Sequence, residues 1–227
     1  IIGIIKQTAN TVKEFDTALT EMRKVSDESL QSLQNFQNVS FDMAGAIGTN
    51  ALQLQNSTAD FMRLGETLEQ AKSSASTASI LMNVSEFQSI DEATESLIAM
   101  SAAYNDLDKI DIVDKLNIIG NNFSISTDQA ATALKDSAAA LKTAGNDVNE
   151  SLALITAGNA ITQNASKTGA GLRTISLRMA GTEAAKSELE EIGEDTSDFV
   201  VQTKSKIDEQ LRQFTGVASN DFKGVSM

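Results

Sequence analysis

Not one proline interrupts the 227 residues of this chain. Average usage of about 5% would supply roughly eleven. Proline removes a backbone donor and clashes with the preceding turn, so it ends helices. A long chain that avoids it altogether is most simply a set of helices joined by turns that need no rigid stop. Aromatic residues make up only 4% of the chain and tryptophan is absent, too little for a large aromatic-packed β-sandwich. Ala, Ser, Thr, Leu, Asn and Gln dominate instead, which favours slim helices packed through small side chains. The expected fold is all-α.

Helix start and stop signals support this reading, most densely between Asp128 and Gly181. Leu134, Ala138 and Leu141 fall at helical spacing, and Gly145 closes that segment. Asp147 stands three residues before Glu150, the spacing of a capping box, in which each residue's side chain satisfies the other's free amide. Leu152, Ile155 and Ile161 follow. Gly169 and Gly171 then precede Leu172, Ile175, Leu177 and Met179. Ser89 with Glu92, and Ser126 with Gln129, have the same capping-box spacing. Asp108 or Asp111 opens a helix carrying Ile112, Val113, Leu116 and Ile119, with Gly120 as its stop. Thr182 starts another through Leu189 and Ile192, stopped by Gly193. A last amphipathic helix carries Val201, Ile207, Leu211 and Phe214. Such short helices are marginal alone in water, so they must pack on one another.

The N-terminal part reads differently. Residues 6 to about 40 predict one long amphipathic helix. Val12, Phe15, Leu19 and Met22 alternate by three and four, the spacing of a coiled-coil seam. They form the candidate association seam. The register slips near Val25 and resumes at Leu30, Leu33 and Phe36. The sustained register is shorter than the three or four heptads that mark a coiled coil, so an amphipathic helix packed on the rest of the domain stands beside that reading. Gly45 and Gly48 mark a joint. Asn56, Ser57 and Thr58 are expected to cap a second long helix, with Phe61, Leu64, Leu68 and Ala71, running on to Met82. The expected division is residues 1–48 for the long N-terminal helix, 49–181 for a helical core and 182–227 for C-terminal helices. A compact centre at about 85–195 with protruding helices is the expected form.

Charge and residue content exclude most chemistry. The net charge is −13, and the few cations are scattered along the chain. A nucleic-acid binder needs a basic stripe that displaces counterions, so no direct contact with DNA or RNA is expected. Histidine and cysteine are both absent. That removes Ser-His-Asp and Cys-His catalysis, the usual zinc sites and any disulfide framework. Asp106, Asp108, Asp111 and Asp114 imitate a metal cluster. A calcium loop counted from Asp106 needs glycine at position six and glutamate at position twelve, and finds Asp111 and Asn117. Helix capping by these aspartates is the better reading. Residues 166–171 (SKTGAG) lack the order of a phosphate loop and read as a helix start beside flexible glycines. Glu190 and Glu191 are adjacent, so they point to different helix faces. No catalytic residue, cofactor or metal is expected. No stretch offers the ~20 apolar residues of a membrane span. The chain opens on Ile1 and is expected to be a piece of a longer protein, with any membrane contact or targeting signal outside these residues.

The order of the central motifs resembles the conserved core region of phage tail tape measure proteins. The matching run is GNNFSISTDQAATAL at Gly120–Leu134, the Leu-Lys-Thr-Ala-Gly turn at Leu141–Gly145, the Ala-Leu-Ile-Thr-Ala-Gly stretch ending at Gly158, and Gly-Ala-Gly-Leu-Arg-Thr leading to Arg178 and Met179. The similarity spans roughly residues 45 to 215. It implies a mostly helical structural protein that sets tail length and nucleates tail assembly inside the tube. It also implies a place in the virion tail, assembled in the bacterial host cytoplasm. The implied partners are tail tube and tail-tip or baseplate proteins, tail assembly chaperones and further copies of itself. A bacterial coiled-coil signalling or secreted effector module shares this acidic, Ala/Ser/Gln-rich composition, but uninterrupted heptads would suit it better. A wall-degrading enzyme is disfavoured by the missing histidine and the lack of a convergent acid pair.

Overall fold

A computed structural model describes residues 2–180. Among the described residues there are nine α-helices and no strand: α1 (Ile2–Lys24), α2 (Leu30–Ile47), α3 (Ala51–Arg63), α4 (Leu68–Asn83), α5 (Ile90–Ala103), α6 (Lys109–Asn122), α7 (Thr127–Thr143), α8 (Val148–Thr162) and α9 (Ala165–Met179). The all-α fold expected from the missing proline is the fold observed. The helices expected from Thr182 and from Val201 lie outside the described residues. The described residues divide into two compact units, the first ending at Ile98 and the second starting at Ala99. The boundary falls within α5 and coincides with neither residue 48 nor residue 181.

In the first unit, the single helix expected over residues 6–40 is two helices. The register slip at Val25 is the physical break. Ser29 adopts an extended backbone there, and its hydroxyl accepts the Ser32 amide at 3.1 Å. The chain therefore turns, and α2 packs against α1. Gly48 ends α2 in the left-handed region at φ 82°, its amide donating to the Ala44 carbonyl. Asn50 then caps α3 by accepting the Leu52 amide at 2.8 Å. That is six residues earlier than the cap expected at Asn56–Thr58. Ser57 and Thr58 are instead buried inside α3. The Ser57 hydroxyl meets the Thr94 hydroxyl at 2.8 Å, and Thr58 donates back to the Leu54 carbonyl at 2.7 Å.

Nor does the helix run on to Met82. It breaks after Arg63, and Thr67 opens α4 through a capping box with Gln70. Thr-x-x-Gln is the capping-box spacing, a local signal present in the sequence itself. The helices before Met82 do not protrude from the unit: α3 packs on α1, α2 and α4. Met22, Leu33, Phe36, Leu54, Phe61 and Leu81 are buried between them. Each such side chain contributes about 1.5–3 kcal/mol of burial.

In the second unit the capping signals hold. The Asp147 carboxylate accepts the Glu150 amide at 2.9 Å, and Glu150 accepts the Asp147 amide at 2.9 Å. Gln129 accepts the Ser126 amide at 3.3 Å at the start of α7. Asp108 takes the cap position of α6 but makes no side-chain capping bond. The glycines divide into two kinds. Gly145 is a stop, held at φ +95°. Gly120 and Gly169 are not stops, because both lie inside helices. A Cβ on Gly169 would stand 2.8 Å from the Ala133 carbonyl oxygen and 3.0 Å from its Cα. The missing side chain is what lets α9 lie directly on α7, the small-residue packing that composition foreshadowed. The restart after α8 comes from Asn164, which accepts the Lys167 amide at 2.9 Å. The glycines of residues 166–171 therefore sit within α9, not before it.

Candidate functional site

The four residues of the seam do not share one environment. Met22 is fully buried with Ala18 in the core of the first unit. Phe15 and Leu19 are half-buried, and Val12 is 64% exposed. Phe15 is tied to α2: its carbonyl accepts from Gln37 Nε2 at 3.2 Å, and its ring sits 5.2 Å from that of Phe41. Phe41 is itself 53% exposed. An apolar surface of Val12, Phe15 and Phe41 thus spans α1 and α2. Heptad counting missed Phe41 because it stands five residues after the buried Phe36, off the seam's period. An aromatic side chain among Asn, Gln and Ser was the available signal.

The flank of α1 toward α3 is polar. Asn10, Lys13, Glu14 and Thr17 line a groove there with Leu52 and Asn56 of α3. Farther along, Glu21 accepts from Lys24 at 2.7 Å and from Arg63 of α3 at 3.0 Å. These hydrogen bonds, Lys24 first, hold the Glu21 carboxyl below the usual carboxylate range. Asp60, also paired with Arg63, is pushed the other way, because partial burial outweighs that partner. Exposed pairs of this kind are screened by solvent and contribute little, so they orient helices more than they stabilise them.

In the second unit the one tyrosine of the chain is buried. The Tyr104 hydroxyl and the Ser151 hydroxyl share a 2.6 Å hydrogen bond. Lys142 lies 5.5 Å over the ring and reaches Asp106 at 3.1 Å. Burial pushes the Tyr104 phenol up to about 12. No nucleophile is activated by this arrangement, since burial favours the protonated phenol. The folded unit holds the proton that an unfolded chain releases near ~10. The associated stability is therefore complete below pH ~10 and is lost as pH rises through about 12. Because tyrosine occurs once, tyrosinate absorbance reads this directly. The native titration should centre near 12 and return to the ordinary value in denaturant; an ordinary midpoint in the native protein would contradict the burial.

Among the described residues no group of three or more Asp or Glu side chains is placed to hold a metal ion, and no helix is long and apolar enough to cross a membrane. What the geometry offers is surface, on helices whose order and caps follow the motifs from Gly120 to Met179. The family model for phage-related minor tail proteins matches residues 37–224. The chain belongs to that family. The match runs from within α2 through α9 and beyond, so it takes in part of each unit of this minor tail protein and leaves α1 outside. No solved structure matches the chain. As a phage-related minor tail protein it has a structural role in the tail.

Proposed function

We propose that this minor tail protein is a tape measure protein, or the core region of one, which sets tail length and nucleates assembly within the tail tube in the host cytoplasm. The observation that carries the reading is the ordered run of motifs from Gly120 to Met179, which resembles the tape measure core and occupies α6 to α9. Its work is structural and not catalytic. Tail tube proteins, tail-tip or baseplate proteins, assembly chaperones and further copies of the chain are the partners in this reading. Exposed Val12 and Phe41, with half-buried Phe15 between them, are the apolar surface they meet.

A length-setting protein predicts a graded result. Duplicating residues 109–179 in frame in the phage gene adds helical chain that spans roughly 100 Å at ~1.5 Å per residue. Tails measured by electron microscopy should lengthen by about that amount. Assembled tails of unchanged length remove the length-setting role and leave a structural tail component.

A further inference from the structure

The outer face of α9 is the basic exception in an acidic chain. From Asn164 to Ala180 there are three cations, Lys167, Arg173 and Arg178, and no acid, against a net charge of −13 for the whole. All three are exposed. Helical periodicity sets Lys167, Thr174 and Arg178 on the side opposite the buried Thr168, Gly169 and Ser176. Ala170 and Gly171 lie between them and offer no long side chain to hold a partner off. Ile175, 51% exposed, borders this face. Among the described residues neither Lys167 nor Arg173 has an ion pair. Asp136 of α7 lines the same groove as Arg173 without closing on it.

We propose that this face is the docking surface for the chain's own acidic stretch, residues 183–198. That stretch carries seven carboxylates and a single cation, Lys186. It begins only four residues after Met179, where α9 ends. So short a tether gives a millimolar effective concentration, which a partner in solution rarely matches. The face from Lys167 to Arg178 is about 16 Å long at ~1.5 Å per residue. Sixteen residues cover that length even at the same rise, so the stretch can run back along the helix as far as Lys167. Charge complementarity and proximity thus select the same occupant.

Zero-length carbodiimide coupling on the full chain, mapped by mass spectrometry, tests this. It joins an amine only to a carboxylate in direct contact, and the structure supplies internal standards: Lys142 with Asp106 at 3.1 Å, Lys72 with Glu69 at 2.7 Å and Lys24 with Glu21 at 2.7 Å. Lys167 should couple to a carboxylate of residues 188–198 in the monomeric fraction, at a yield like that of Lys142 with Asp106. Arg178→Glu, a reversal on the same face, should abolish that link and spare the standards. Three results would overturn the proposal: standards that couple while Lys167 does not, Lys167 links found only between two chains, or links that survive Arg178→Glu.

Discussion

Gly169→Ala should destabilise the second unit, whereas Gly171→Ala, two residues along the same helix, should stabilise it. At Gly169 the new methyl would meet Ala133 backbone atoms at 2.8 and 3.0 Å. Backbone cannot rotate aside as a side chain can, so α7 and α9 must separate. Overpacking of this kind costs about 1–3 kcal/mol, and the ~1 kcal/mol that alanine returns in helix propensity offsets only part of it. At Gly171 nothing stands within 4 Å of the added atom. There the propensity gain of roughly 0.5–1 kcal/mol acts unopposed. Urea denaturation of the two variants beside the parent protein reads both signs. If Gly169→Ala also stabilises, the close contact of α9 with α7 is wrong.

A second contrast lies along the seam. Met22→Asp should unfold the first unit, while Val12→Asp should leave it folded. Met22 is 0% exposed. Removing its side chain alone costs about 2–5 kcal/mol, and a carboxylate buried without a partner adds several more. Together these approach the whole ~5–15 kcal/mol stability of a domain. Val12, 64% exposed, has little burial to lose, and a surface change of this kind stays within about 0.5 kcal/mol. Far-UV circular dichroism and thermal melting separate the two outcomes. A folded Met22→Asp protein would place that residue on the surface and return the whole seam to solvent.

The difference between Val12 and Met22 also shows where a period stops being informative. Counting by three and four finds an apolar stripe on a helix, but it cannot say how far a neighbouring helix covers it. α1 meets α2 and α3, and that packing buries Met22 and leaves Val12 outside. Phe41 joins Phe15 across the turn, a pairing that no spacing within one helix announces. The slip at Val25 was visible in the sequence, yet it reads equally well as a change of register or as the break it is.

What this sequence determined by itself is local. The absence of proline, the capping pairs Asp147 with Glu150 and Ser126 with Gln129, and the left-handed stop at Gly145 act within a few residues, so composition and spacing reveal them. The family motifs from Gly120 to Met179 were legible for the same reason. The tertiary structure alone decided what depends on distant partners. Gly120 and Gly169 look like Gly145 in the sequence, but Gly169 exists to admit Ala133, thirty-six residues away. Ser57 looked like a cap and is a buried partner of Thr94, thirty-seven residues away. A residue's role is written in the sequence when its partners lie within a turn of helix; when they lie on another helix, only the packing assigns it.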